Sequence, residues 1–295
     1  MQLKPIAEGV ENSNYLLAHE AGRAILTLYE QRVATSDLPF FLGLMQHLAK
    51  GSVPCPLPIE GEDDAVVHTI AGKQAAMVSF LNGKSVTRIY PEHCREVGKH
   101  LAQMHLAGNG FSISRPNALS LSAWPTMWEN IKVKAAKEWP ETTTIIDQQI
   151  VRLKSEWPTH LPKGIIHADL FPDNVFFEGE SLSGIIDFYF ACNDMLAYDL
   201  AICLNAWCFE PNYEFNITKS QRMLEGYATF RPLSAEEKAA FPILCLGATM
   251  RFLMTRMTDW LNPKPDALVT PKNPMEYFQK LKFHSTAKDF HAYGI

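Results

Sequence analysis

The stretch that decides the fold is "GIIHADLFPDNVFF" at residues 164–177, together with "IIDFYF" at 185–190. The apolar runs at 164–166, 174–177 and 184–188 predict three strands, and a turn at 178–180 lets the last two pair. Asn174 begins one of these two strands and Asp187 lies in the other. The hairpin therefore places both side chains at the same end, and the bend at 170–172 brings Asp169 to the same place.

Three hard oxygen donors gathered in this way suit Mg²⁺, which prefers carboxylate and amide oxygens combined with phosphate oxygens. A carboxylate that does not bind the metal can accept a proton from an attacking hydroxyl. The set favours phosphoryl transfer, in which a protein mainly positions the reactants and neutralises charge. The alternative is a solvated polar hairpin, and Asp173 taken alone fits a solvated turn.

The composition is typical of a globular protein with a sizeable core. The chain has 295 residues, 47% of them hydrophobic and 20% charged, with a formal net charge of −5. No basic block indicates a nucleic-acid surface, no apolar run is long enough for a membrane span, and the N-terminus lacks an apolar signal-peptide core. Six cysteines without a zinc-binding spacing predict reduced thiols. We therefore expect a cytoplasmic protein that binds neither nucleic acid nor membrane.

The order of predicted elements indicates two lobes. The first 80 residues or so predict a small antiparallel sheet, with strands at 15–18, 24–29, 65–70 and 75–81 and one helix at 38–49. The remainder predicts helices beginning at Pro91, over 124–156 and over 241–260, the last apolar on nearly every face and so buried. We expect an α+β fold with lobes at 1–81 and 82–295 and a ligand cleft between them.

The motif "HADLFPDN" at 167–174 resembles the catalytic loop H-R-D-L-x-x-x-N of protein kinases, and residues 187–189 resemble D-F-G with Tyr189 in place of glycine. Ala168 in place of arginine, and Asp199 in "YDLA", make the chain more similar to the aminoglycoside phosphotransferase and choline kinase superfamily, which shares the protein-kinase-like fold. Longer strings resemble the homoserine kinases of the choline-kinase-like type: "GVENSNYLL", "ILTLYEQR", "DLPFFLGLMQHLA", "PCPLPI" and "FYFACNDMLAYDLAICLNAWCFE".

The resemblance implies a role for each matching residue. Asp169 would orient or deprotonate the substrate hydroxyl, and Asn174 and Asp187 would hold Mg²⁺. His167 and Asp199 would support the catalytic loop. The implied ATP site comprises a nucleotide-covering loop and an interlobe hinge whose backbone would pair with adenine: Gly9, Val10, Asn12, Ser13 and Asn14 for the loop, and Ser79, Phe80 and Leu81 for the hinge.

The sequence departs from the kinase pattern in two places. Kinases of this fold usually carry a basic residue on the third strand and a glutamate on the next helix, but the alignment puts Thr27 and Phe41 there. Arg32 is a candidate replacement on the phosphates, although we expect it to contribute little. The resemblance also implies a helix and strand before the nucleotide loop, whereas Gly9 comes almost at once, which predicts a shortened start or a short first strand.

The substrate implied by the resemblance is homoserine, a small amino-alcohol whose carboxylate needs a cation. Arg251 and Arg256 in the buried helix are candidates, since a buried guanidinium needs an acidic partner. The alternative is an internal pair of Arg256 with Asp259. Tyr189, Asn205 and Trp207 are further candidates. Choline or ethanolamine, methylthioribose and an aminoglycoside remain alternative substrates, and a non-catalytic nucleotide-binding regulator is the alternative of another class.

Overall fold

A computed structural model describes residues 2–6, 12–20, 22–29, 33–263 and 271–294. The first lobe is a six-stranded antiparallel sheet in the order β1-β2-β3-β6-β4, with β5 paired to β6. The strands are β1 Gln2–Ile6, β2 Asn12–His19, β3 Gly22–Tyr29, β4 Pro58–Ile59, β5 His68–Ile70 and β6 Lys73–Ser79. Helix α1, Leu38–Lys50, buries an apolar stripe, including Phe41 and Leu48, beside this sheet.

The second lobe is mainly helical. Its helices are α2 Pro91–Ala107, α3 Trp124–Glu138, α4 Thr142–Glu156, α5 Leu196–Trp207, α6 Ile217–Ala228, α7 Ala235–Leu261 and α8 Met275–Thr286. The apolar stripe of α2, formed by Cys94, Val97, Leu101 and Met104, is fully buried, and α7 is buried over most of its length, as its apolar sequence predicts. These elements confirm the two-lobed α+β fold. The lobe boundary at residues 81 and 82 stays a prediction, in the connection between β6 and α2.

Two small two-stranded antiparallel sheets carry the polar segment. Strand β7, Lys163–Ile166, pairs with β10, Cys192–Met195, and β8, Val175–Glu178, pairs with β9, Ser181–Ile185. The β8–β9 pairing confirms the hairpin predicted from the turn at 178–180. The last predicted strand was placed too late, because β9 ends at Ile185. Asp187 lies beyond it in a left-handed conformation, with φ 64°.

One predicted helix is two. The segment 124–156 is broken between α3 and α4, where Trp139 and Pro140 separate them. Proline lacks the N–H that a continuing helix needs, and it disfavours a helical conformation in the residue before it.

Among the helices of the described ranges, none combines the length and apolar character that a membrane crossing requires. All six cysteines are free and buried.

Candidate active site

The predicted catalytic loop, residues 167–174, follows β7, and one buried carboxylate binds the backbone at its start. Asp199, in the first turn of α5, is fully buried and accepts hydrogen bonds from the backbone N–H groups of His167 (2.7 Å) and Ala168 (2.8 Å). Its Oδ2 also lies 3.1 Å from His105 Nε2. Burial alone would raise the pKa of Asp199, but the hydrogen bond and charge of His105 hold that pKa below its usual value. The carboxylate therefore fixes the start of the loop.

His167 joins the two halves of the site. Its Nε2 lies 3.0 Å from the carbonyl oxygen of Ile186, which can only accept, so Nε2 carries the proton. Its Nδ1 then accepts from the backbone N–H of Asp169 at 3.3 Å. Burial lowers the pKa of His167, so the ring is neutral. The predicted supporting role of His167 thus has a geometric basis: the ring ties the catalytic loop to the segment that carries Asp187.

Asn174 and Asp187 lie at the same end of the β8–β9 hairpin, as the sequence predicts. The backbone N–H of Ile186 donates to the carbonyl of Asn174 at 3.0 Å. The Asn174 amide nitrogen donates to the backbone carbonyl of Asp169 (2.8 Å) and to its Oδ2 (3.2 Å). Asp169 thus engages the Asn174 amide nitrogen and leaves the amide oxygen Oδ1 able to act as a ligand.

These donors suit a metal that a nucleotide helps to bind. Within the described residues, no three His, Cys, Asp or Glu side chains form a ready-made metal cluster. Mg²⁺ is commonly held by one or two protein oxygens together with substrate phosphates, so the Asp187 carboxylate and the Asn174 amide oxygen are sufficient. The donor set therefore fits a magnesium–nucleotide complex.

Asp169 is half-buried beside this pair. Burial raises the pKa of Asp169 to about 8; Arg251 lowers it, and the nearby Asp187 and Asp173 raise it. A carboxylate poised in this range can accept a proton from a hydroxyl at near-neutral pH. Asp173 itself is exposed and paired with Lys272 at 3.3 Å, in keeping with a solvated turn.

A cavity of about 270 Å³ opens at Asp169. Arg251 lines it, is only 2% exposed, and donates through Nη1 to the carbonyl of Ala168. Its guanidinium lies over the rings of Phe190 (5.6 Å) and Phe252 (4.5 Å), and its Nε is buried without a hydrogen-bond partner among the described residues. Arg251 is the substrate candidate that the structure places in one cavity with Asp169.

The other four substrate candidates lie elsewhere. Arg256 binds Glu276 of α8 at 2.6 Å rather than the Asp259 that the sequence suggested as its internal partner. Asn205 is fully buried among the helices, where its amide contacts Thr249 and His284. Trp207 is also fully buried and donates to the carbonyl of Leu170 at 2.8 Å, so it supports the catalytic loop from behind. Neither Asn205 nor Trp207 reaches the cavity.

Tyr189 points toward the first lobe instead. It lines a second cavity, of about 240 Å³, and its hydroxyl lies 3.2 Å from that of Tyr29. Tyr189 also hydrogen-bonds to Thr27, whose hydroxyl donates to Asn14 Oδ1 at 2.8 Å. Burial raises the pKa of Tyr189, so this chain of side chains is uncharged. Phe41 packs edge-on against Tyr189, with ring centroids 5.4 Å apart.

An uncharged network therefore occupies the place of the missing lysine–glutamate pair. It joins β2 and β3 to a residue two positions after Asp187. Losing both charges together is coherent, because a lone buried charge is costly. Gly9, Val10 and Arg32 lie outside the described residues. Asn12, Ser13 and Asn14 belong to strand β2 rather than to a loop, paired with residues 27–29 of β3.

The predicted hinge lies where the two lobes connect. Ser79 ends β6, and its backbone N–H and side-chain oxygen both bond to Leu57, at 2.8 and 2.9 Å. Phe80 and Leu81 continue outside the sheet and are partly buried. The ring of Phe80 lies 4.0 Å from the guanidinium carbon of Arg23. The assignment of adenine to this backbone stays a prediction.

The uncharged network leads to a prediction. Tyr29→Phe removes one hydroxyl and keeps the ring contact with Tyr189, so the second lobe should fold unchanged. One hydrogen bond is worth about 0.5–1.5 kcal/mol, and we expect the KM for ATP to rise roughly two- to tenfold. ATP titrations at saturating substrate measure this effect. Tyr15→Phe, in the neighbouring strand β2, is the matched control. An unchanged KM for ATP in Tyr29→Phe, or an equal rise in the control, contradicts the role.

Residues 2–233 match the model of the phosphotransferase enzyme family. The homoserine kinase of Rhizobium etli (strain CIAT 652) is 54% identical over 295 residues, covering 100% of this chain and 92% of that protein. The homoserine kinase of Rhodospirillum rubrum is 53% identical over 292 residues, covering 99% of this chain and 91% of that protein.

Solved structures share the fold at low identity. Amicoumacin kinase hAmiN, solved with AMP-PNP, Ca²⁺ and Ami, superposes with a TM-score of 0.74 at 16% identity, covering 98% of this chain and 91% of the other. A choline/ethanolamine kinase family protein from Mesorhizobium loti superposes with a TM-score of 0.65 at 14% identity, covering 99% of this chain and 91% of the other. The chain therefore belongs to the phosphotransferase enzyme family, and within it to the group of the homoserine kinases.

Proposed function

We propose that the protein is an ATP-dependent homoserine kinase, which converts L-homoserine and ATP to O-phospho-L-homoserine and ADP in threonine biosynthesis. The observation that carries this proposal is the single cavity shared by Asp169 and Arg251, beside the Asn174–Asp187 pair. A hydroxyl acceptor, a cation for a carboxylate and a site for a metal nucleotide thus lie together. Similarity to homoserine kinases over the whole chain supports the same assignment.

Each residue has a defined part in the transfer. Asp169 orients the substrate hydroxyl and takes its proton as the oxygen bonds to the γ-phosphorus of ATP and the bond to ADP breaks. Asn174 and Asp187 would hold Mg²⁺, which when bound neutralises charge on the phosphate oxygens. Arg251 binds the substrate carboxylate. Its hydrogen bond to the Ala168 carbonyl fixes the position of the guanidinium relative to the catalytic loop.

The position of the Arg251 guanidinium disfavours choline and the aminoglycosides as substrates. Choline requires an aromatic cage for a quaternary ammonium, and two aromatic rings, Phe190 and Phe252, do line the cavity. Both rings are already covered by the Arg251 guanidinium, which would repel a cation placed on them. The same repulsion applies to the polycationic aminoglycosides. A carboxylate-bearing alcohol is the better match.

An ADP-release assay with a panel of substrates tests the function. The panel contains homoserine, choline, ethanolamine, methylthioribose and one aminoglycoside, each with Mg²⁺ and ATP, and Asp169→Asn is the catalytic control. We expect ADP release with homoserine alone, and its loss in the control. If ATP binds but no panel member is phosphorylated, the protein is a nucleotide-binding regulator instead.

A further inference from the structure

The cavity at Asp169 carries a second carboxylate, that of Asp259, which has no partner within the described ranges. Asp259 lines it near the C-terminal end of α7, is exposed, and makes no hydrogen bond or ion pair with any residue in the described ranges. Arg256 bonds to Glu276 of α8. The Asp259 carboxylate is therefore available to a ligand.

Asp259 and Arg251 share one face of α7. Residues at i, i+4 and i+8 of a helix form a stripe, which here comprises Arg251, Thr255 and Asp259, and all three line the cavity. The hydroxyl of Thr255 donates to the carbonyl of Arg251 at 3.2 Å, and Thr258 donates to Met254 at 2.8 Å. Their oxygens keep free lone pairs, so this part of the cavity wall offers acceptors as well as a carboxylate.

The charges of the cavity match a zwitterion. The titratable side chains of its lining are Asp169, Arg251 and Asp259. Asp169 is committed to the reacting hydroxyl, which leaves one cation and one anion. Arg251 is almost fully buried, lines the cavity and has a guanidinium Nε without a hydrogen-bond partner among the described residues, so its charge is not met by a protein carboxylate there. A single cation and a single anion suit the carboxylate and ammonium of an α-amino acid.

We propose that Asp259, with the hydroxyl oxygens of Thr255 and Thr258, binds the α-ammonium of the substrate and makes the site selective for amino-acid alcohols. This inference rests on the proposed function and assigns the half of the substrate that Arg251 cannot hold. Leu119 and Met127 supply the apolar wall for the methylene groups. Asp259 lies at the exposed edge of the cavity, where a solvated ammonium enters without a large desolvation cost.

Truncated substrates separate the two halves of this site. 4-Hydroxybutanoate lacks the ammonium, and 3-amino-1-propanol lacks the carboxylate. Asp259→Asn should raise the KM for homoserine roughly ten- to hundredfold, as expected for loss of a hydrogen bond to a charged group. The KM for 4-hydroxybutanoate as a substrate, or its Ki as a competitive inhibitor, should stay unchanged within about twofold. The kcat for homoserine should change little, because Asp259 does not touch the reacting hydroxyl.

Two further variants make the test decisive. Glu236→Gln removes a charge from an exposed position in the first turn of the same helix and should leave every constant unchanged. Asp259→Glu keeps the charge and should recover part of the homoserine affinity. An unchanged KM for homoserine in Asp259→Asn overturns the inference, as does an equal loss with homoserine and 4-hydroxybutanoate. If the unmodified protein phosphorylates no homoserine, the proposed function fails first, and the two failures are distinguishable.

Discussion

Asp169→Asn is expected to abolish most of the phosphoryl transfer and, at the same time, to stabilise the protein in the absence of metal and nucleotide. The amide cannot accept the substrate proton, so kcat should fall by roughly 10²- to 10⁴-fold. Folding, however, half-buries this residue, and burial raises the pKa of its carboxyl to about 8. The residue that catalysis needs is thus one that folding disfavours in its ionised form.

The sign of the stability effect follows from proton linkage. The unfolded chain releases the Asp169 proton near pH 4, whereas the folded protein retains it up to about pH 8. Between these values the native state binds more protons, so the free energy of unfolding falls as pH rises. Asparagine has no such proton. Its advantage should be absent near pH 4, grow towards pH 8 and then level off, at on the order of several kcal/mol.

Thermal unfolding of the metal-free protein at several pH values measures this effect. We expect the Tm of Asp169→Asn to exceed that of the parent by about 5 °C or more at pH 8.5. Asp173→Asn makes the same chemical change four residues away at an exposed position and should shift the Tm very little. An equal Tm for Asp169→Asn and the parent at pH 8.5 contradicts the reasoning.

The sequence was most informative where the relevant contacts are close along the chain. Asn174 and Asp187 flank one short hairpin, so their meeting point follows from a turn and two apolar runs. The end of β9 was less accessible, because the left-handed conformation of Asp187 is set by what surrounds it, such as the His167 contact with Ile186. The break at Pro140 was visible in the sequence, and the single predicted helix over 124–156 ignored it.

Substrate residues were harder to choose for a physical reason. Helix α5 is buried on nearly every side. The periodicity of its sequence therefore does not indicate which way Asn205 and Trp207 point, and both lie within the protein. Arg256 pairs with Glu276 of α8, 20 residues further along the chain, and helical spacing does not predict a contact between two different helices. The stripe of Arg251, Thr255 and Asp259 was the available signal, since its positions repeat at helical spacing beside a buried arginine.

His105 is the residue that sequence reasoning missed altogether. A lone histidine in an amphipathic helix gives no indication of its partner, and Asp199 lies 94 residues further on. Its Nδ1 lies 2.8 Å from the Tyr227 hydroxyl, which in turn accepts from Arg231 at 3.0 Å, and Arg231 pairs with Glu237. A polar chain thus runs through the core from α7 to the catalytic loop.

Asp199→Asn should break this chain where it meets the loop. The carboxylate accepts from His105, His167 and Ala168, whereas an asparagine side chain has only one accepting oxygen. At least one of these three buried N–H donors would then face the NH₂ group of the new asparagine and lose its acceptor. Breaking a buried charged network of this kind costs about 3–5 kcal/mol, which lowers the Tm by roughly 10 °C.

Activity should fall as well, even at temperatures where the variant is folded. Ala168 holds a left-handed conformation, with φ 64°, that the Asp199 contact helps to impose, and Asp169 follows directly. We expect kcat to fall about tenfold or more, with the KM for ATP changed less. Asp194→Asn, a half-buried aspartate five residues earlier, is the control, since its contacts to Asn117 and to the Met195 N–H lie away from the loop. Equal losses of Tm and kcat in the two variants would show that Asp199 has no special hold on the catalytic loop.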